Sequence, residues 1–435
     1  MKKTLTVVDA ASLIIGIVIG VGIFKAPSLV AHYTGNTFLF FAAWVAGGAV
    51  SLIGALCYAE LATAYPHPGG DYHYLMLAFG KKPAFLFAWA RMTVMQTGSI
   101  AMLAFILGDY LSRVFSLGAY SSSIYAAAGI IVLTLVNAAG IKEGRITQKL
   151  LTLMIVAGML FIIAGGLFFA APVPSGVAPS PPAGTLPGLA MVFVLLTYGG
   201  WNEAVYISAE LRGSKKGMFR SLIWSITIIT LLYILINATY WKVLGMQGMR
   251  GSEAVAYDVM LRITGPGGAA LVSFLVAVSA LSSMNGVIIT GSRTNYALGK
   301  EFSLFRFLGR WEKDSATPLR ALVVQGIISL LLVLLGTVTM RGFATMVEFT
   351  APVFWFFFFL ATQSLIVLRL KDAKTTRPFR VPLYPVTPIL FCCACLFMLI
   401  SSIQYTGVGA LAGVALLCAG LPFLMISKHQ TMQEK

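Results

Sequence analysis

Two stretches place glycines where a continuous helix does not favour them. One reads Gly16-Ile-Val-Ile-Gly20-Val-Gly22-Ile-Phe24, the other Leu196-Thr197-Tyr198-Gly199-Gly200-Trp201-Asn202-Glu203. Each lies inside a long apolar run, and glycine costs a helix interior about 1 kcal/mol against alanine. Close packing of helices through small residues is one use for such a pattern. A broken helix is the other, and it bares main-chain groups that can do chemistry. Unwinding the first run exposes N–H groups near Val21, Gly22 and Ile23, at the start of the half-helix that follows. That positive dipole end favours a carboxylate. Unwinding the second exposes carbonyls near Leu196, Thr197 and Gly199, which accept an ammonium. Donors for a carboxylate facing acceptors for an ammonium describe a free α-amino acid.

Charged and hydroxyl groups near these runs are candidates for coupling or gating, because ionisable groups are costly in a bilayer. Lys25 follows the first break. It either draws in a substrate carboxylate or closes an outer gate with an acid. Glu203 adjoins the second break, and Glu348 stands at the outer start of a later apolar run. A carboxyl desolvated there takes a proton more readily. Ser282 and Ser283 offer the oxygen ligands a sodium ion prefers. Glu60 and Glu210 sit at inner ends of apolar runs, where pairing with loop cations is expected. Arg91 is expected to snorkel to the inner face.

The elements that position these residues follow from composition. Of 435 residues, 58% are hydrophobic and 11% charged, against about 25% charged in soluble domains. A soluble core cannot absorb that much apolar surface. Apolar runs fall at about 8–32, 37–64, 82–112, 123–141, 146–171, 187–211, 218–243, 267–292, 317–337, 345–369, 386–403 and 407–427. Each approaches the roughly 20 residues that cross a bilayer. The chain therefore reads as an all-α polytopic membrane protein with twelve transmembrane helices in one domain, 1–435. A short amphipathic helix is expected around Glu253–Arg262. The two glycine-broken runs are the first and the sixth, each heading a block of five. That position points to a five-plus-five inverted repeat with broken helices 1 and 6. Repeat one covers about 8–171, repeat two about 187–369, and two extra helices about 386–427.

The net charge of +16 has a topological explanation. With the runs above, 24 Lys and Arg fall on the side of the N-terminus and 5 on the other. This bias places both termini in the cytoplasm of a multi-pass plasma (inner) membrane protein, and it requires no nucleic-acid partner. The lipid bilayer is the expected surrounding, and no protein partner is indicated. The four histidines, His32, His67, His73 and His429, fall at run ends or in loops, so no catalytic set for a membrane-embedded enzyme is visible. No GxxxxGK[ST] phosphate loop accompanies the spans. Cys392, Cys393 and Cys395 lie in an apolar run without His or carboxylate nearby, so no metal and no cofactor is expected.

Longer strings carry a family resemblance: IGVGIFKAPSLVA (19–31), YAELATAYPHPGGDYHYL (58–75), TYGGWNEAVYISAELR (197–212), SSMNGVIITGSR (282–293), TPLRALVVQ (317–325) and RPFRVPLYPVTPILF (377–391). In this order they resemble the amino acid–polyamine–organocation (APC) superfamily, and within it bacterial permeases similar to the L-type amino acid transporters. The resemblance implies a secondary transporter working by alternating access on a small-molecule amino acid. It assigns the α-carboxylate to the N–H groups of Val21, Gly22 and Ile23, and the α-ammonium to the carbonyls of Val18, Leu196 and Gly199. It also assigns Asn202 a part in shaping the site. Three positions depart from the family pattern. Val21 stands where many relatives have serine, Leu196 where a bulky aromatic gate is common, and Ile155 where many carry a lysine in place of sodium. A mostly apolar site then predicts a neutral L-amino acid, with protons or exchange in place of sodium. A cationic amino acid or polyamine is the alternative substrate.

Overall fold

The structure is a computed structural model that describes residues 15, 18–67, 69–139, 145–169, 186–202, 216–312, 317–405 and 407–426. Among them there is no strand, and the architecture is all-helical. In chain order the helices are α1 (Ala26–Tyr33), α2 (Thr37–Ala64), α3 (Asp71–Phe79), α4 (Lys81–Val114), α5 (Ser121–Ala138), α6 (Arg145–Ala164), α7 (Pro187–Thr197), α8 (Lys216–Arg250), α9 (Val255–Glu301), α10 (Leu319–Val338), α11 (Gly342–Lys371), α12 (Val386–Tyr405), α13 (Val408–Cys418) and α14 (Gly420–Ile426). Eight of the described helices are long and apolar enough to cross a membrane: α2, α4, α5, α8, α9, α10, α11 and α12. Shorter apolar helices run over Leu153–Phe169, Pro187–Thr197 and Val408–Leu424.

Each of α8 and α9 consists of two helices that meet at a glycine whose backbone leaves the helical conformation. Gly245 (φ 68°) breaks α8 after its apolar run, and Gly265 (φ 77°), followed by Pro266, breaks α9. The stretch before Gly265 is helical from Val255, where the short outer helix is expected. After the break α9 continues to Glu301, nine residues past the apolar run, because no glycine or proline stops it.

The chain divides into two compact units. The first is drawn from Met1–Lys81, Met154–Val272 and Trp355–Tyr405, the second from Lys82–Leu153, Ser273–Phe354 and Thr406–Lys435. In the first unit α8 packs on α1 and α2, while α7 packs on α1, α2 and α12. Its core is aromatic: Trp44, Tyr58, Tyr198, Tyr233 and Phe40 are almost fully buried. In the second unit α4 packs on α5 and α10. The α4–α5 contact is close, since a Cβ at Gly108 would lie 2.1 Å from the Ser122 carbonyl. Ser122 Oγ donates to Asp109 there (2.6 Å), and lower down Asn137 Nδ2 of α5 donates to Asn285 Oδ1 of α9 (2.6 Å).

Arg91 overturns the expectation of snorkelling. It opens a π-helical turn, Arg91–Met95, in the middle of α4 and is 6% exposed. The Gln96 side-chain oxygen, in the orientation that satisfies both groups, accepts from Arg91 Nε (3.2 Å) and Nη2 (2.9 Å). A guanidinium carries its donors in a rigid fork, and the wider π turn brings the amide one turn on within reach.

Candidate functional site

At both glycine-rich runs the described chain leaves the α-helical path. In the first, Ile19 and Gly20 leave the helical path, a 3-10 turn covers Val21–Phe24, and α1 starts after Lys25 with Pro27 in its first turn. A helix leaves its leading N–H groups without intrahelical acceptors. In this tight turn those are Val21 and Gly22. The Ile23 N–H lies three residues after the N-cap Gly20, whose carbonyl takes the first bond of the turn. Within the turn itself, Val21 and Gly22 are the residues whose N–H groups precede its first bond. In the second run α7 ends at Thr197, and the chain turns through Tyr198, Gly199 and Gly200. The left-handed residue of this break is Gly200 (φ 106°); neither Gly22 nor Gly199 has positive φ.

The two breaks meet. A Cβ built on Gly22 would sit 3.6 Å from Thr197 Cγ2 and 3.7 Å from its Cα. Val18, Val21, Ile23, Thr197 and Asn202 are buried, while Gly22, Leu196 and Gly199 are half-buried. The Leu196 carbonyl accepts from the Gly199 N–H (3.0 Å), which leaves it a second lone pair. The Thr197 hydroxyl is committed to its own helix through the Phe193 carbonyl (2.7 Å).

One residue of this site escaped the sequence reading. Tyr233 of α8 is fully buried, and its hydroxyl lies 2.8 Å from the Val18 carbonyl and 3.2 Å from the Thr197 carbonyl. It thus bridges the two breaks. The Val18 carbonyl also accepts from the Gly20 N–H (2.7 Å). Both its lone pairs are engaged, so an ammonium reaching it must displace a donor. Tyr233 is held edge-on by Trp44 and packs against Tyr198, with centroids 5.9 and 5.0 Å away. Tyr198 in turn donates to the Trp44 carbonyl (3.0 Å). Nothing in the run LLYILINATYW separates Tyr233 from Tyr240 by sequence alone. Tyr233→Phe removes the bridging donor and is expected to lower stability by about 1 kcal/mol, read as a fall in thermal midpoint. An unchanged midpoint would show that the hydroxyl does not tie the breaks together.

Trp201, just past the second break, stacks on Phe358 (5.8 Å, 15°) and meets Tyr58 edge-on (5.2 Å). These rings fix the backbone that leads to Asn202. The coupling candidates are more dispersed. Lys25 donates to the Glu253 carbonyl (2.7 Å), tying the first break to the turn between α8 and α9. Glu348 of α11 is buried and lies 3.6 Å from Arg341, whose side chain is 55% exposed. Ser282 is buried and Ser283 half-buried on α9. Glu203 and Glu210 lie outside the described residues. Ile155 is half-buried on α6.

Glu60 pairs with loop cations, as its position at the end of α2 indicates. It is 1% exposed. Arg369 binds it through both Nε (2.7 Å) and Nη2, Arg377 Nε stands 3.5 Å away, and the Val381 N–H donates to it (2.7 Å). The Arg369 guanidinium also lies over the Tyr384 ring, 3.7 Å from its centroid. Next to this cluster, hydrogen bonds from Thr375 and Tyr65 hold the Asp372 carboxyl below the usual carboxylate range.

A helix end at Thr197 laid against the turn that precedes α1, among long apolar helices, is the kind of arrangement that membrane transport proteins use. Residues 5–421 match the family described as Amino acid permease, and the chain belongs to that family, within the APC superfamily. It is similar to b(0,+)-type amino acid transporter 1 of Mus musculus, 30% identical over 93% of this chain and 83% of the relative. It is similar also to the human Cystine/glutamate transporter (29%; 97% and 84%) and to Large neutral amino acids transporter small subunit 2 of Mus musculus (28%; 99% and 82%). The family and these relatives are transporters, and the chain is an amino acid permease of the membrane.

Proposed function

We propose that this permease moves neutral L-amino acids across the plasma membrane by alternating access, exchanging them or coupling their uptake to protons. The observation that carries this reading is Gly22 set against Thr197. In this reading the leading amides of the first turn and the carbonyls of the second run receive the substrate among apolar or uncharged side chains, Val18, Val21, Leu196 and Tyr198. The name of one relative, which specifies large neutral amino acids, agrees with such a lining. In this reading twelve helices cross the membrane. Repeats of about 8–171 and 187–369 each begin with a broken helix, the helices of 386–427 are additional, and both termini are cytoplasmic. A half-helix end that receives a carboxylate at the midplane is what rocking repeats expose to each side in turn.

Glu348 is the coupling carboxyl favoured among the described residues, because it is buried and Arg341 is mostly solvated. Exchange needs no coupling ion, since equal zwitterions cross both ways. Purified protein in liposomes tests both parts. Uptake of alanine, serine or leucine should rise with internal amino acid or with an inward proton gradient, and sodium should add little. Glu348→Gln should flatten the pH dependence and leave counterflow intact. Competition by arginine or putrescine, with none by neutral amino acids, would overturn the substrate class. Strong sodium stimulation, lost in a Ser282→Ala/Ser283→Ala variant, would overturn the coupling.

A further inference from the structure

The end of α11 and the loop that leads to α12 carry five cations in twelve residues: Arg369, Lys371, Lys374, Arg377 and Arg380. Three are consumed internally. Arg369 and Arg377 hold Glu60, Arg377 also donates to the Thr375, Leu368 and Asp372 carbonyls, and Lys371 Nζ donates to the Ala78 carbonyl (2.9 Å). Lys374 and Arg380 are exposed, with no ion pair or side-chain hydrogen bond among the described residues. Beside them Leu383 is 79% exposed and held at φ 53°, a conformation that bulky residues seldom adopt. The turn is secured on both sides. The Val386 N–H donates to the Leu383 carbonyl (2.8 Å), Thr387 Oγ1 donates to the Pro382 carbonyl (2.5 Å), and Val381 is bound to Glu60. The first turns of α12 continue the apolar surface with Val386, Ile389 and Leu390, all about half exposed or more.

This loop joins two helices that are each long and apolar enough to cross a membrane, so it lies where hydrocarbon gives way to headgroups. A rigid leucine with two cations unpaired among the described residues matches, at that level, a phospholipid whose phosphate is negative. A guanidinium takes phosphate oxygens bidentately, and an ammonium adds a point charge. We propose that residues 374–390 form a seat for one anionic phospholipid of the inner leaflet. Lys374 and Arg380 hold the headgroup, and Leu383, Val386 and Leu390 line the root of its acyl chains. Its place in the inner leaflet rests on the orientation proposed above, while the seat does not depend on which amino acid is carried.

The test uses the full-length protein in a non-ionic detergent, titrated with phosphatidylglycerol or phosphatidylcholine. Retained lipid is read by native mass spectrometry, and the thermal midpoint is followed in parallel. Phosphatidylglycerol should be retained and should raise the midpoint, with phosphatidylcholine doing so much less. A basic residue at an anionic membrane surface contributes about 1 kcal/mol, or about fivefold in affinity. Lys374→Gln/Arg380→Gln should therefore weaken phosphatidylglycerol binding by about 25-fold. Leu383→Ser should weaken it with both cations in place, and Lys82→Gln, an exposed cation elsewhere, should leave it unchanged. Equal retention by the double variant, or no preference between lipids in the unaltered chain, would overturn the proposal. So would a midpoint shift of the same size from glycerol phosphate alone, which would reduce the seat to a phosphate site without lipid.

Discussion

Glu60→Ala is expected to destabilise the protein by about 3–5 kcal/mol, the range for breaking a buried ion pair from one side. The carboxylate is nearly inaccessible and serves three donors: Arg369 at the end of α11, and Arg377 and the Val381 N–H of the loop that follows. Alanine leaves two guanidinium groups facing each other, with side chains only 17% and 7% exposed. Burying unpaired charge, not the loss of a favourable contact, makes this change severe. Removing the Arg369 charge together with that of Glu60 should therefore do less harm than removing Glu60 alone, because only Arg377, which also donates to three carbonyls, is then left without its carboxylate. Thermal unfolding in detergent checks this by comparing Glu60→Ala with Glu60→Leu/Arg369→Met. If the single variant unfolds within a degree of the unaltered protein, the cluster is solvated and the prediction is wrong. If the double variant is as damaged as the single, the effect belongs to lost packing.

Gly22→Leu is expected to abolish substrate binding in protein that still inserts and purifies as a single species. Gly22 faces Thr197 at a distance a methyl group can share, 3.6–3.7 Å. Leucine adds three more carbons where, in the proposed reading, the leading amides and the carbonyls receive the substrate, and forcing methylenes into a packed site costs about 1–3 kcal/mol. Gly22→Ala, with ordinary contacts and no positive φ, should keep most of its transport. The second break is less forgiving. A Cβ at Gly199 would lie 2.8 Å from the Leu196 carbonyl, and Gly200 holds φ 106°. Alanine at either should do more damage than alanine at Gly22. Binding measured on purified variants, apart from transport, separates loss of the site from loss of the cycle. Normal binding by Gly22→Leu would move the substrate away from the breaks.

The breaks were legible because glycine inside an apolar run is a chemical signal that needs no tertiary context. The long spans were legible for the same reason, and Glu60 because an acid at a helix end demands a cation. The finer geometry was not. Which of Gly199 and Gly200 turns left-handed depends on how Tyr198 and Trp201 are anchored by Trp44, Tyr58 and Phe358, residues distant in sequence. Tyr233 looked like any tyrosine in an apolar helix, since a hydroxyl aimed at two carbonyls leaves no trace in spacing. Arg91 was misread because hydropathy puts a cation at the nearest interface, whereas the π turn and Gln96 give it a buried partner. The breaks at Gly245 and Gly265 fall beside the expected run ends at 243 and 267, because glycine and proline there stop each helix.

Three of the cations expected on the side opposite the termini, Arg250, Lys242 and Arg262, share one habit. Arg250 donates to the Ala31, Thr34 and Gly35 carbonyls at the end of α1, Lys242 to the Leu167 carbonyl, and Arg262 to the Val243 carbonyl just before the Gly245 break. Each closes a helix terminus whose carbonyls have no partner of their own. In the orientation proposed above these are positive charges that biogenesis must carry across the bilayer, against the preference of the insertion machinery. Their retention has a mechanical reason: neutral replacements would ease translocation and leave frayed termini. The sparse positive charge of that face is thus a compromise between threading the chain and finishing its helices. Reporter fusions that score topology should tolerate Arg250→Met, while the yield of folded protein falls.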